Sequence, residues 1–123
     1  MSTQVLNQVG LNRVAALVLA DINYIAVGTG TTAASIAHTT LVTETNRIAI
    51  TKNIRDANVI QSRGFFLNSQ MPSPNVEEIG WFMNASATPD SGSLLCRTAD
   101  QFVKGTADLL VILEVTVQED VTG

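Results

Sequence analysis

The sequence is poor in the residue types that build catalytic and metal sites. Its 123 residues include one cysteine, Cys96, and one histidine, His38. One thiol can form neither an internal disulfide nor a metal site, and metal sites need several His, Cys or carboxylate ligands at close spacing. No serine lies in the G-x-S-x-G motif of a nucleophile elbow. We therefore expect no enzyme, no cofactor and no metal, and we interpret Cys96 as a small buried hydrophobic residue in a strand.

Positive charge is also scarce. Seven Lys and Arg residues stand against eleven Asp and Glu, which gives a net charge of −4 at pH 7, and the basic residues do not cluster. An acidic chain without a basic cluster binds the phosphate backbone of nucleic acids poorly, so we expect no nucleic-acid partner. No apolar run is long enough to span a bilayer, and we expect no membrane contact. The start, MSTQVLNQVG, lacks a signal-peptide pattern, which predicts synthesis in the cytoplasm.

Apolar residues, in contrast, are abundant. They make up 46% of the chain, and charged residues make up only 15%. A length of 123 residues predicts a single domain, 1–123, which can bury a usable core without disulfides. Because the composition is apolar for so small a domain, we expect a partner to cover part of the surface.

One helix is predicted, close to the N terminus. Residues 1–8 are polar and irregular, and we interpret them as an arm. Over about residues 9–20, apolar side chains from Leu11 to Val18 recur at the spacing i, i+3, i+4, i+7, which places them on one helical face. A helix of this length is not stable alone and must dock on the rest of the domain.

Beyond the helix, short apolar segments alternate with turn sequences. The segments predicted as strands are 22–27, 47–52, 57–68, 77–86, 93–99 and 108–118. Strands joined by turns must pair mostly antiparallel, because parallel pairs need long crossovers. The prediction is therefore a mainly-β fold, an antiparallel β-sandwich of five to seven strands with one N-terminal α-helix packed on it. Residues 70–75 (QMPSPN) are predicted as a loop and 99–107 as a connection.

Adjacent aromatic residues pose a packing problem. Phe65 and Phe66 are neighbours on one predicted strand, and Trp81 and Phe82 are neighbours on another, so each pair faces both sides of its sheet. One member can lie in the core, and the other needs a second cover. We expect the N-terminal helix to cover one pair, and a contact with another subunit is one option for the other pair.

The last predicted strand poses the same problem. Leu109, Val111 and Leu113 belong to an inward row, while Leu110 and Ile112 lie on the opposite face. Strands that are covered on both faces carry apolar residues on both faces. The first half of this strand is therefore predicted to be covered on both faces.

Residues 22–35, INYIAVGTGTTAAS, have the G-x-G-x-x-A form of a dinucleotide-binding fingerprint after a strand. That fingerprint requires a helix that opens at the glycines, an acidic residue at the end of the next strand and βαβ alternation. Residues 31–40 carry no apolar stripe, and Glu44 precedes its strand. Nucleotide binding is therefore the least favoured function. We expect Gly28 and Gly30 to permit backbone angles that a side chain would oppose.

Glu44 and Arg47 stand three residues apart, next to a predicted strand. They could form an acid/base pair or a partner-binding ion pair. An internal salt bridge that fixes the loop onto the sheet is the favoured interpretation. Such a bridge would specify the loop geometry more than it adds stability.

Several segments, in their order and spacing, resemble a known family. GLNRVAAL is followed by YIAVGTGTT, TTLVTETNRIAIT, VEEIGWFMNAS and the closing GSLLCRTADQFVKGTADLLVILEVTVQ. Over residues 9–118 this order resembles the tail-collar or tail-fibre N-terminal modules of tailed-bacteriophage virion proteins. Glu77 stands where the family pattern has an Arg. The residues that match the pattern are Ala26, Val27, Gly28, Gly30, Leu41, Glu44, Arg47 and Gly80.

The resemblance implies a non-enzymatic structural protein of the phage virion that acts as a homo-oligomer or in many copies. No shaft sequence follows residue 118, so we expect a capsid decoration (cement) protein that binds the major capsid protein outside the shell and stabilises it. The alternative is a tail-fibre or baseplate attachment protein. The candidate structural and interface residues are Gly28, Gly30, Glu44, Arg47, Phe65, Phe66, Gly80, Trp81 and Phe82.

The salt-bridge interpretation makes the first prediction. Glu44→Ala and Arg47→Ala should each lower the melting temperature of the isolated protein, because either change leaves the other charge without its partner. Differential scanning calorimetry measures this effect. An unchanged melting temperature in both variants would exclude an internal bridge.

Overall fold

The computed structural model describes residues 5–71 and 75–119. Over these residues the chain forms one helix and nine strands. The predicted mainly-β fold with one N-terminal helix is confirmed, and the seven strands of five or more residues fall in the expected number. The middle of the predicted loop 70–75 and the first half of the arm 1–8 lie outside the described residues. The elements are α1 (Gln8–Asp21), β1 (Ile22–Gly28), β2 (Glu44–Ala49), β3 (Lys52–Asp56), β4 (Val59–Phe66), β5 (Asn75–Val76), β6 (Glu78–Met83), β7 (Ser93–Thr98), β8 (Phe102–Val103) and β9 (Leu109–Thr116).

The longer strands form two antiparallel sheets. One sheet has the order β2-β1-β6-β7 and the other has the order β3-β4-β9, while the short strands β5 and β8 pair separately. The inner faces of the two sheets bury one common cluster, to which Ile25 and Trp81 contribute from the first sheet and Phe66 and Val111 from the second. Alternate residues on each strand supply this core, as the period of a strand requires. The result is a β-sandwich.

Residues 47–52, predicted as one strand, contain the crossing between the two sheets. The Ile50 amide donates to the Asn23 carbonyl in the first sheet, at 2.9 Å, and the Thr51 amide donates to the Arg63 carbonyl in the second, at 2.8 Å. Ile48 packs against the core from β2, and Ile50 does so beyond the strand end. The apolar alternation of residues 47–52 predicts that Ile48 and Ile50 contact the core. It does not show that the chain passes from one sheet to the other between them. The predicted connection 99–107 likewise contains the short strand β8.

The helix α1 closes one end of the sandwich. Ala15 is fully buried, and it forms a cluster with Ile22 at the start of β1 and Ile60 of β4. Val18 packs against the same cluster, whereas Leu17 is 54% exposed. The fully buried side chain of the helix is thus a small one, which allows its backbone to lie close to both sheets.

The aromatic residues are not covered by the helix, and that prediction is wrong. Phe66 and Trp81 lie in the core between the sheets. Phe82 lies on the outer face of the four-stranded sheet, where it is fully buried in a cluster with Leu41. The helix reaches Ile60 and Ile22 instead, because it docks at the end of the sandwich. Phe65 is the aromatic residue that stays 43% exposed.

The outer face of β4 and β9 carries an exposed apolar patch, formed by Phe65, Leu110 and Ile112. Phe65 and Leu110 are direct partners in the β4–β9 ladder. Leu110 is 55% exposed and Ile112 is 48% exposed. The prediction that the first half of β9 is covered on both faces is therefore wrong for a single chain. No described element packs over this face.

The docking of α1 can be tested at its buried alanine. Ala15→Leu should destabilise the protein by about 1–3 kcal/mol, because added methyl groups must force the helix away from Ile60. Ala20→Leu, on the exposed side of the same helix, is the matched control and should change stability by less than about 0.5 kcal/mol. Urea denaturation measures both. Equal effects would show that the helix does not dock as described.

Candidate functional site

A buried carboxylate organises the outer face of the four-stranded sheet. Glu78 is the first residue of β6 and lies directly opposite Gly28 of β1. No part of Glu78 is exposed to solvent. Its Oε2 accepts hydrogen bonds from the amides of Gly30, at 2.7 Å, and Thr43, at 2.8 Å. Its Oε1 accepts from the Val42 amide, at 2.8 Å, and from Arg97 Nε, at 2.9 Å. Four donors therefore compensate one buried negative charge.

The two glycines of the 22–35 segment make room for this carboxylate. A Cβ atom on Gly28 would lie 2.2 Å from the Thr43 carbonyl oxygen and 2.7 Å from Glu78 Oε2, and one on Gly30 would lie 2.5 Å from the same carboxylate oxygen. Among the described glycines, a positive φ occurs at Gly92 and Gly105 instead. The expectation that Gly28 and Gly30 supply unusual backbone angles is wrong. They supply space.

The carboxylate also fixes the Thr-rich loop, residues 29–43, onto the sheet. Glu78 holds the loop near both of its ends, and Arg97 Nη1 donates to the Thr32 carbonyl at 2.8 Å. Near its end, Leu41 is 3% exposed and packs over Phe82. A Cβ atom on Gly80 would lie 2.7 Å from Leu41 Cδ2, so the small residue at this position allows Leu41 to insert.

Glu78 stays ionised despite its burial. Burial raises the pKa of Glu78, but hydrogen bonds from the Thr43 amide, the Arg97 side chain and the Val42 and Gly30 amides outweigh burial and hold the pKa below its ordinary value of 4.5. The amides that a phosphate would need are therefore already bound to a fixed negative charge. This geometry disfavours nucleotide binding at the glycines.

Glu44 and Arg47 form the predicted ion pair. Arg47 Nη2 lies 2.7 Å from Glu44 Oε1, and Arg47 Nε donates to Oε2 at 2.7 Å. Both side chains are almost fully buried, with 3% and 2% exposed. Residues three apart on a regular strand face opposite sides, but the β1–β2 register skips Thr45, and this bulge brings the two charges to one face.

The Arg47 guanidinium connects three parts of the outer face. It stacks 4.7 Å from the centre of the Phe82 ring. Its Nη1 donates to the Ser86 carbonyl and to Ser91 Oγ, both at 3.0 Å, and thereby holds the turn between β6 and β7. All of its donors point into the protein. The pair is therefore an internal clamp and not an accessible acid/base pair.

The structure thus divides the predicted site residues into three groups. Phe65 lies on the outer face of the three-stranded sheet, and Phe66 and Trp81 lie in the core. The remaining residues all lie at the outer face of the four-stranded sheet: Gly28, Gly30, Glu44, Arg47, Gly80 and Phe82.

Sequence reasoning missed Glu78 and Arg97. A signal was available, because each is the one charged residue of a mainly apolar strand, EIGWFM and SLLCRT. Charged residues are almost never fully buried unless they are paired. Two opposite charges on two apolar strands therefore indicate a buried ion pair.

The nucleophile and metal-ligand candidates form no second site. Cys96 packs against the core, and burial raises the pKa of its thiol, which makes it a poor nucleophile at neutral pH. His38 Nδ1 accepts from the Ser35 amide at 3.2 Å. Within residues 5–71 and 75–119, no three His, Cys, Asp or Glu side chains are grouped to hold a metal ion. None of the helical segments there is long and apolar enough to cross a membrane.

Comparison with known proteins adds no assignment. A scan of the chain against protein-family models matches no family, and a search of curated protein sequences finds no significant match. The function must therefore be argued from the geometry and from the sequence resemblance.

The buried carboxylate makes a pH-dependent prediction. Glu78→Gln should destabilise the protein by about 3 kcal/mol at pH 7, because Arg97 loses the charge that compensates its burial. The pKa of Glu78 is lowered by folding, so its contribution is fully present above pH 4.5 and is lost as the pH falls below 4.5 through the folded-state value. The difference between the two proteins should therefore shrink in acid.

Urea denaturation between pH 3 and pH 7 measures this difference. Glu77→Gln is the matched control, since the adjacent carboxylate makes no ion pair in the described part of the chain. A difference between Glu78→Gln and the parent protein that does not change with pH would contradict a structural role for the ionised carboxylate.

Proposed function

We propose that the chain is a non-enzymatic structural protein of a tailed-phage virion, which binds the outside of the capsid shell as a decoration protein. The observation that carries the proposal is the exposed apolar patch of Phe65, Leu110 and Ile112. These residues are each 43–55% exposed on the outer face of the three-stranded sheet. Contiguous apolar patches of this kind mark surfaces that bind another protein.

The surroundings of the patch have the composition of an interface rim. Arg63 is the ladder partner of Ile112, and Lys52 is the ladder partner of Arg63. Glu114 follows Ile112 on the same face of β9 and pairs with Gln61. An apolar centre with charged residues of both signs at its border is typical of protein interfaces. The face is suited to a protein surface more than to a small ligand.

The rest of the fold supports a rigid binding unit. The two buried ion pairs, Glu78–Arg97 and Glu44–Arg47, hold the long loop and the β6–β7 turn in place. A preorganised surface loses little entropy on binding. When many copies bind one shell, modest contacts by each copy add up to a stable assembly.

A tail-fibre or baseplate attachment protein is the second candidate, because the resembling family consists of tail modules. Copy number separates the two candidates. A quantitative gel of purified particles should give hundreds of copies for a decoration protein, and a handful to a few dozen for a tail protein. Nucleotide binding is a distant third candidate. An increase in the melting temperature on addition of millimolar nucleotides would support it.

The patch itself can be tested on particles that lack the chain. Phe65→Ser combined with Leu110→Ser should weaken rebinding of the purified protein by about tenfold or more, because interface anchors each contribute about 1–2 kcal/mol. Co-sedimentation with the particles measures binding, and thermal melts confirm that the variant is folded.

Val5→Ser combined with Val9→Ser is the matched control, since these two residues are 69% and 80% exposed and belong to the N-terminal segment and not to the patch strands. This control should bind as the parent protein does. If both double variants bind equally well, the patch is not the binding surface. If the chain is absent from purified particles, it has no role in the virion.

A further inference from the structure

The three-stranded sheet ends at an open edge. β9 pairs with β4 on one side and is the last strand of its sheet in the described chain. A groove of about 430 Å³ runs along this edge. Residues Leu109 to Glu114 form one wall, Ile79 and Trp81 of β6 contribute to the lining, and Thr98 and Asp100 lie at or beyond the end of β7. The opposing sheet has one strand more, so the groove lies where a fourth strand of the smaller sheet would lie.

The two edges of this sheet differ in charge. β3, at the other edge, has exposed charged side chains at Lys52, Arg55 and Asp56, which is how soluble proteins prevent edge pairing. β9 has one charged residue, Glu114, in eight. The β9 edge therefore lacks the protection that the β3 edge has.

Trp81, which lines the groove, carries a buried and unpaired hydrogen-bond donor. Trp81 is 4% exposed, and its Nε1 is buried without a hydrogen-bond partner in the described part of the chain. A buried N–H group without an acceptor is unfavourable. A segment that occupies the groove would change the surroundings of the Trp81 indole.

The charges along the groove are of one sign. Asp100 and Glu114 are its charged lining residues, and both are exposed. A second copy of this acidic chain, paired through its own β9, would bring another Glu114 to the same edge. A basic segment of a different chain would meet opposite charges instead.

We propose that the β9 edge accepts an extended segment of a partner polypeptide as a fourth antiparallel or parallel strand. Alternate apolar side chains of this segment enter the groove beside Trp81, and a Lys or Arg lies near Asp100 or Glu114. This is recognition by strand addition. The inference rests on the proposed assembly role, and it adds the chemistry of the partner segment.

Trp81 is the only tryptophan of the chain, so its fluorescence reports on the groove. The probe is a ten-residue peptide of alternating Val and Thr with Lys at both ends, added to the full chain. We expect a saturable change in Trp81 emission. The same peptide with Glu at both ends, and a Lys-ended peptide with N-methyl groups on alternate residues, should bind at least about tenfold more weakly, since one loses the charge match and the other the strand hydrogen bonds.

Asp100→Lys combined with Glu114→Lys should weaken binding of the Lys-ended peptide by about tenfold or more. Asp21→Lys combined with Asp56→Lys, which changes the net charge equally at exposed sites outside the groove, is the control and should bind as the parent protein does. The N-methyl peptide tests the unaltered protein, so the proposal stays testable if the charge variants do not fold.

Three outcomes would overturn the strand-addition proposal. One is no emission change at millimolar Lys-ended peptide, and another is equal binding of the N-methyl peptide. The third is self-association without peptide, seen by sedimentation together with a concentration-dependent Trp81 signal, which would assign the edge to a second copy. If the chain binds the peptide but is absent from purified particles, the strand site stands and the virion role is excluded. If the chain is present in particles but does not bind the peptide, only the strand site is excluded.

Discussion

The ionised carboxylate of Glu78 is the constraint on which the outer face of the larger sheet depends. A carboxylate without exposed surface must find donors, and three backbone amides and one guanidinium supply them. Because the amides belong to the two ends of one loop, compensation of the charge also places the loop. The close approach then requires glycine at positions 28 and 30. One charge thus accounts for the loop path, the two glycines and Arg97.

This arrangement makes the two sheets unequal. The larger sheet is covered on its outer face by its own loop, with Leu41 over Phe82 and the Arg47 guanidinium stacked on the same ring. The smaller sheet has no such cover in the described chain, and Phe65 and Leu110 remain exposed on it. A chain that binds partners through one face gains from this difference, since its own loop already occupies the other face. The bare sheet is therefore the surface that the proposed assembly role would use.

The sequence predicts the features of this fold that depend on residues close together in the chain. It does not predict contacts between residues far apart in the chain. The helix and the strands follow from periods of about 3.6 and 2 residues, and Glu44 and Arg47 are close in the chain, so their pairing could be proposed. Glu78 and the Gly30 amide are separated by 48 residues. No local pattern contains that contact, so the sequence explains the two glycines by backbone torsion, whereas the structure explains them by space. Apolar alternation also shows which side chains need cover, but not whether the chain itself supplies the cover, as Leu110 demonstrates.

The apolar patch and the β9 groove share residues, and this connects the two proposed binding features. Leu110 and Ile112 contribute to the patch through their exposed side chains and lie in the strand that borders the groove. A segment that pairs with β9 would therefore continue past the edge of the patch, and its outward side chains would lie beside Leu110 and Ile112. The strand hydrogen bonds would set the register of the partner, and the patch would add apolar area to the same contact. A single partner chain could then cover the open edge and the bare face together, which places both at one interface.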